Sequence, residues 1–410
     1  MSDAPLHSDL RCEVLVIGAG PAGCAAASLL ARAGRQVVLA DQHPLGRDKV
    51  CGDGLIPDAH AALARLGLLG AVLGRARTLG HVSFTAPRGG RIDVAGQLAV
   101  LPRRELDAML NQHAQDQGAR FVSPARFEAP LLDEADRVVG ARMKGGDGGS
   151  FEIRADWVLL ATGANVAALT AAGVCERHTP SGVALRGYVE APHLSDEIRG
   201  LEVVWTKAVR PGYGWIFPAP DGHFNIGVGV ADSHNDLGGE GRRRGHKKDY
   251  NLRAMFDAFV ASFEPAARLM REGRMVGELK GAPLRCTLTG ARWSRPGMLV
   301  VGEAAGSTYS LTGEGIGKAL ETGMLAAEAL LAGTEGAEAR YEEQMAALKP
   351  KFELYQQANR INAQPWLADL LIWRGRRSPR LRRRMEGVLA ETENPGHLVT
   401  LSGLTQLLFT

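Results

Sequence analysis

The chain has 410 residues, a net charge of +3 and 45% hydrophobic residues, enough apolar sequence for two or three packed domains. Near-balanced charge excludes the concentrated basic face that a nucleic-acid partner demands. The 51 glycines are scattered among apolar runs without a period, which excludes a low-complexity chain and points to many tight turns and close backbone–ligand approaches.

The opening stretch, MSDAPLHSDLRC, lacks the apolar centre of a signal peptide. No uninterrupted apolar run nears the roughly 20 residues of a spanning helix. The five cysteines, Cys12, Cys24, Cys51, Cys175 and Cys286, include no CxxC pair, which argues against disulfides or zinc and fits a reducing cytoplasm. The histidines show no metal spacing, so no metal site is expected. A cytoplasmic protein follows, attached at most to the inner face of a membrane.

Residues 13–41 read EVLVIGAGPAGCAAASLLARAGRQVVLAD. An apolar run, Val14–Ile17, ends in Gly18-x-Gly20-x-x-Gly23; a helix follows, with Gly34 as its stop, and a second strand, Val37–Ala40, ends in Asp41. This is the strand–turn–helix–strand–acid order of a dinucleotide site. Gly18 makes the tight turn, Gly20 admits a pyrophosphate to the backbone, and Gly23 permits close helix–strand packing. The helix N-terminus offers free N–H groups and partial positive charge to phosphates. Asp41 stands where a carboxylate accepts from ribose hydroxyls.

Next comes Lys49-Val50-Cys51-Gly52-Asp53-Gly54. Most free cysteines are inert core residues, and Cys12 and Cys24 fit that description in the first strand and helix. Cys51 differs, because it sits in a glycine-rich loop with Lys49 and Asp53 beside it. Asp48 and Asp53 read either as site residues or as turn-stabilising ones. Arg103-x-x-Leu106-Asp107 opens an amphipathic helix ending at Gly118.

In RPGYGWIFP, Arg210–Pro218, three large aromatics crowd a chain with only 6% aromatic residues. On a strand, Tyr213, Trp215 and Phe217 share one face. Pro220-Asp221-Gly222 reads as a turn, and Phe224, Ile226, Val228 and Val230 then alternate with Asn225, Gly227 and Gly229, completing a hairpin. Spacing alone leaves the three rings as either ordinary core or the wall of an apolar cavity. Ser233–Tyr250 is polar and basic, read as a loop. Met298–Gly333 supplies an apolar strand, a glycine-rich turn and a second turn, Gly313-Glu314-Gly315, opening a long helix. Two glycine-rich approaches so far apart in sequence imply a long ligand buried along its length, which suits FAD better than NAD. The N-terminus of the helix near Gly315 would face a flavin edge and stabilise negative charge there. Glu314 and Lys318, four apart, read as a surface pair. Beyond residue 336 the chain reads as helical; Leu370–Trp373 is an apolar patch followed by seven arginines, either a membrane-surface contact or a solvated basic helix pair broken at Pro379.

These motifs together resemble the geranylgeranyl reductase family of FAD enzymes, within the p-hydroxybenzoate-hydroxylase-like flavoprotein fold. The matching stretches are GAGPAG (18–23), RDKVCGDGL (47–55), Arg103 with Leu106-Asp107, GYGWIFP (212–218) and GEAAG…TGEGI (302–316). The resemblance implies an α/β fold: a Rossmann-like FAD-binding domain (1–78, 101–165 and 285–335), an inserted α+β substrate domain on an antiparallel sheet (79–100 and 166–284) and a C-terminal helical segment (336–410). It implies that Gly18, Gly20 and Gly23 bind the pyrophosphate and Asp41 the ribose. Arg103 would contact the phosphates or ribityl chain, and Glu303 with Gly313, Gly315 and Ile316 would line the ribityl and ring. Cys51 and Tyr213 are the catalytic candidates, with Gly52, Trp215 and Phe217 in the substrate cavity. Two departures stand out. Glu303 replaces the usual aspartate, and Trp157–Leu169 carries Thr162-Gly163 without the nearby arginine of related hydroxylases, so the electron donor, NADPH or another, stays open.

The implied activity is reduction of a prenyl-type carbon–carbon double bond by hydride from reduced flavin, with a proton from Cys51, Tyr213 or water. The same fold supports an FAD monooxygenase of an aromatic or lipid substrate. Halogenation is disfavoured by the absence of Trp-x-Trp-x-Ile-Pro and of a lysine-bearing halogenase motif. A non-catalytic flavin-binding protein is disfavoured by the intact aromatic and Cys51 motifs.

Overall fold

A computed structural model describes residues 10–231 and 250–393. The opening residues and the polar stretch beginning at Ser233 lie outside the described residues, Tyr250 excepted.

The apolar strand Leu10–Ile17 pairs in parallel with Val37–Ala40 on one side and Ser150–Leu160 on the other. Arg120–Val122 and Met298–Val300 extend the sheet in parallel at either end. These strands read as continuous apolar runs because the sheet is covered on both faces. Helix Pro21–Arg32 starts right after the glycine turn with Pro21 at its first position, where a missing N–H costs nothing. It lies against helix Ile316–Leu331, so the first and last nucleotide motifs of the chain meet at one sheet end. A meander, Ala125–Leu132 and Val138–Gly145, joins the outer half of Ser150–Leu160 antiparallel.

The second sheet has eight strands in the order Arg274–Leu284, Gly182–Glu190, His223–Ala231, Tyr213–Pro218, Leu201–Val204, Arg77–Thr85, Arg91–Val100 and Gly54–Leu55. All its pairings are antiparallel except Leu201–Val204 with Arg77–Thr85. The short strand Gly54–Leu55 carries the Cys51 loop from the first sheet to the second. Period-two alternation divides the expected hairpin between two cores. Ile216, Phe224, Ile226, Val228 and Val230 are buried under helices Leu252–Ser262 and Glu264–Glu272, against Phe256, Phe259 and Leu269. Tyr213 and Phe217 face the opposite way, with Val82, Leu98 and Leu201, toward the C-terminal helices.

Those helices are Ala337–Ala358, Arg360–Ala363, Trp366–Gly375 and Pro379–Leu389. Pro379 starts the last one instead of breaking it: it occupies the first turn, and the Ser378 side chain accepts from the Leu381 N–H as the N-cap. The apolar patch at 370–373 is split by helical phase. Leu371 and Ile372 are buried against the second sheet, while Trp373 is 49% exposed and Trp366, two turns earlier, 55%. Among the described residues, no helix is long and apolar enough to cross a membrane.

Candidate active site

One continuous cavity of about 610 Å³ runs from the glycine turn of the first sheet to the aromatic face of the second. At its polar end stand Gly18, Gly20 and Asp41. The Asp41 carboxylate accepts from the Ala19 N–H and the His43 N–H, both at 2.8 Å, so it braces the glycine turn while lining the cavity. Gly23 is the one nucleotide residue outside the lining; its position packs against the Gly18 carbonyl, which makes it a helix–strand spacer.

Arg103 opens helix Arg103–Asp116, and its guanidinium is held by Asp107 through two bonds, Nε–Oδ1 at 2.7 Å and Nη2–Oδ2 at 2.9 Å. This fork fixes the cation at the cavity wall beside Gly20. Glu303 lies in the turn after Met298–Val300, 3.6 Å from Lys49 Nζ, and its carboxylate reaches over Gly163. Gly313, Gly315 and Ile316 line the middle of the cavity at the start of helix Ile316–Leu331, whose first N–H groups have no side-chain cap.

The residues fit FAD on two structural observations. A Cβ built on Gly20 would meet nothing nearer than Arg103 Nη2 at 3.8 Å, so an open cradle lies before an uncapped helix N-terminus. In the same cavity Thr162 Oγ1 is buried without a partner, a polar group a ligand would satisfy.

The apolar end is walled by Tyr213, Trp215 and Phe217, their rings following one another at 6.1 and 6.3 Å. The Trp215 ring lies across Gly227 of the neighbouring strand, and its Nε1 donates to Asn225 Oδ1 at 2.9 Å. The Tyr213 hydroxyl donates to the Thr312 carbonyl in the turn before Gly313, so its proton is committed to the backbone. Gly52 sits directly beneath Phe217. Phe84 and Trp205 stack at 5.6 Å further along the same face of the sheet, and Trp205 Nε1 donates to Asn362 Oδ1 at 2.7 Å, tying the C-terminal helices to the sheet. Leu371, Ile372, Met385 and Leu389 from those helices close the cavity. The sequence reading had no part of the C-terminal segment in the site.

Cys51 lines the cavity between the two ends. Its sulfur accepts from the Asp53 N–H at 3.3 Å. Burial, and after it the Asp53 carboxylate, push the thiol above its ordinary range, while Arg103 opposes them. Asp53 is fully buried and is no mere turn residue. Its Oδ2 accepts from Tyr188 OH and from Asn225 Nδ2 at 2.7 Å, and its Oδ1 from the Arg103 N–H at 3.2 Å. Burial nevertheless pushes its pKa up to about 6. Asp48 likewise reaches across the fold, to Arg186 and to Lys280 Nζ at 2.9 Å. Tyr188 and Asn225 were missed in the sequence; a polar Asn225 within an otherwise apolar and glycine strand was the available signal.

The Glu314–Lys318 surface pair is corrected. Lys318 is only 5% exposed and pairs with Glu321 at 2.8 Å, Glu391 at 3.1 Å and Asp58 at 3.8 Å. Glu314 turns its carboxylate inward, near Asp58 and Glu391. Burial and the facing Asp58 push its pKa well up, and burial and Glu391 push Asp58 to about 6.

Comparison with known proteins supports an FAD-binding chain. Residues 11–226 match the FAD binding domain family. Menaquinone reductase of Mycolicibacterium smegmatis is 35% identical over 337 residues, 79% of this chain and 77% of that protein. Digeranylgeranylglycerophospholipid reductase 2 of Methanopyrus kandleri is 31% identical over 318 residues, 77% of this chain and 76% of that one. A geranylgeranyl bacteriochlorophyll reductase-like protein from Thermoplasma acidophilum shares the fold with a TM-score of 0.70 at 19% identity, covering 98% of this chain and 96% of its own.

Proposed function

Because the chain belongs to the geranylgeranyl reductase family of FAD-dependent oxidoreductases, we propose that it reduces a carbon–carbon double bond in the prenyl chain of an apolar lipid. The observation that carries this reading is the continuity of a nucleotide cradle with a long cavity walled by Phe84, Trp205, Trp215, Phe217, Leu371 and Ile372. The relative named for menaquinone makes a polyprenyl quinone the first substrate to try.

In this reading Gly18, whose N–H is donated to the Ala40 carbonyl, shapes the turn, the Gly20 main chain holds the pyrophosphate, Asp41 the ribose, and Arg103 the phosphates or ribityl chain. Glu303 and the Gly313–Ile316 turn hold the ribityl and the ring. Bound there and reduced, the flavin would supply the hydride that one carbon of the double bond receives. An isolated alkene is a poor hydride acceptor, so an acid must act on the other carbon in the same step. Cys51, in the cavity lining, is the acid in this reading: its S–H bond breaks as the new C–H bond forms, and the thiolate regains its proton from solvent when product leaves. Tyr213, whose proton is given to the Thr312 carbonyl, instead positions the turn. The aromatic wall excludes water, and the N-terminus of Ile316–Leu331 favours negative charge at its end. Electrons come from NADPH or another donor.

The outer face of the C-terminal helices completes the reading. Trp366 and Trp373 are exposed, and Arg376, Arg377, Arg380, Arg382, Arg383 and Arg384 lie exposed beyond them. The inner faces of the same helices line the cavity. This face rests on the inner, anionic surface of the membrane, from which a lipid substrate enters.

The test incubates reduced holoprotein with a prenylated menaquinone under argon and weighs the product, then exposes it to air. A saturated prenyl bond keeps its two added hydrogens in air, whereas a quinol loses them. A product that returns to the starting mass overturns the proposal.

A further inference from the structure

The Cys51 loop carries a charge that its shape does not require. Asp53 has φ +65°, a conformation Asn adopts as readily as Asp, and it is fully buried. Its backbone N–H already reaches the sulfur, and Asn225 Nδ2 clamps the loop through the Cys51 carbonyl at 2.7 Å. A neutral residue could keep these bonds. A carboxylate in such a place is expensive to ionise.

The surrounding charges sharpen the point. Arg103 is forked onto Asp107, Lys49 faces Glu303 at 3.6 Å, and Arg186 is bound to Asp48 with its guanidinium 4.3 Å over the Tyr188 ring. These three cations thus each have a carboxylate of their own, while Arg47 lines the same cavity. Asp53 receives only neutral donors, namely Tyr188, Asn225 and the Arg103 main chain, and among the described residues it belongs to no ion pair. Its negative charge therefore acts on the adjacent sulfur, opposed there by Arg103 and Lys49 and offset in part by the nearby Arg186.

We propose that Asp53 is a positioning residue whose buried carboxylate keeps Cys51 protonated, so that the loop presents an acid, and not a nucleophilic thiolate, to the cavity. This rests on the reading of Cys51 as proton donor. It accounts for part of the upward push on a thiol that stands beside Arg103 and Lys49, an electropositive setting that ordinarily favours thiolate. It also makes the thiolate left after proton transfer basic enough to recover its proton promptly.

The experiment follows alkylation of Cys51 by iodoacetamide in the holoprotein across a pH series, with the modified peptide identified by mass spectrometry. Asp53→Asn retains the shape of the side chain. Asp53→Gly suits the positive φ and retains the N–H to the sulfur while removing the carboxylate, so it serves if the amide is not tolerated. Both are expected to move the midpoint of alkylation down by about one pH unit, which is roughly tenfold faster modification at a fixed pH below the midpoint. A midpoint unchanged or raised in a variant that still binds FAD overturns the proposal. The readout is independent of turnover: Cys51→Ala that still saturates the substrate would refute the proton donor while leaving the charge coupling between Asp53 and the sulfur measurable in the wild-type background.

Discussion

Replacing Gly20 by alanine should separate cofactor binding from folding. Gly20 has φ −84° and ψ −174°, an extended conformation open to alanine. The added methyl meets only Arg103 Nη2, at an ordinary contact distance of 3.8 Å. The apoprotein should therefore be no less stable, and by reduced unfolded-state entropy about 0.4–1 kcal/mol more so. The methyl fills the space where a pyrophosphate approaches the main chain. Losing about two charge-assisted bonds at ~1.5–2 kcal/mol each weakens FAD binding by ~3–4 kcal/mol, roughly 150- to 1000-fold in Kd. Gly23→Ala behaves oppositely, because its methyl would overlap the Gly18 carbonyl and force helix from strand. Thermal unfolding of the apoproteins, with FAD titration followed by quenching of flavin fluorescence, reads both quantities. If Gly20→Ala binds FAD like the wild type, or its apoprotein is destabilised as much as that of Gly23→Ala, the cradle is misassigned.

Cys51→Ala should lower product formation by about 10²–10⁴-fold while the flavin is still reduced at the normal rate, measured by separate half-reactions; equal loss in both halves would contradict a proton-donor role. Lys318→Met should destabilise by about 3–5 kcal/mol near pH 8, because it strands buried carboxylates, and by clearly less near pH 5. The sign follows from Asp58, whose folded pKa is raised to about 6: below it the carboxyl is neutral and misses the lysine less, whereas above it the unpaired charge is fully present. Urea unfolding at the two pH values checks this, and an equal loss at both refutes it. Reversing Arg382 and Arg383 to Glu, or replacing Trp366 and Trp373 by Ser, should weaken co-sedimentation with anionic vesicles. At about 1 kcal/mol for each arginine, charge reversal should reduce binding at least about 30-fold, and added salt should have the same effect on the wild type. Unchanged binding would remove the membrane contact.

The nucleotide-binding half was legible because its signals are local. Strand, glycine turn, helix and Asp41 fall within a few dozen residues, and each spacing has one steric meaning. The aromatic strand was legible for a similar reason: period two forces Tyr213, Trp215 and Phe217 to one face of their strand, whereas the register Trp215↔Gly227 is what sends Phe224, Ile226 and Val228 to the other side of the sheet. The C-terminal wall was not. Leu370 to Trp373 are all apolar, so the run covers too much of a helical turn to reveal its phase, and only the distant sheet decides that Leu371 and Ile372 point inward while Trp366 and Trp373 point out. Asp53 was ambiguous because Tyr188 and Asn225 are 135 and 172 residues away. Lys318 was misread for the opposite reason. Its spacing from Glu314 suited a local pair, but burial where three segments meet offered it Asp58 and Glu391 instead.

Reductase and monooxygenase chemistry part company over oxygen, and an anaerobic single turnover tests that difference most directly. Reduced holoprotein is mixed under argon with a polyprenyl substrate, and the flavin absorbance and substrate mass are followed, with a parallel sample given isotopically labelled oxygen. Return of the oxidised-flavin band without oxygen, with a substrate two hydrogens heavier, is the predicted result. A flavin that stays reduced until oxygen enters, and a substrate that then carries the label, would contradict the reductase reading and the role given to Cys51.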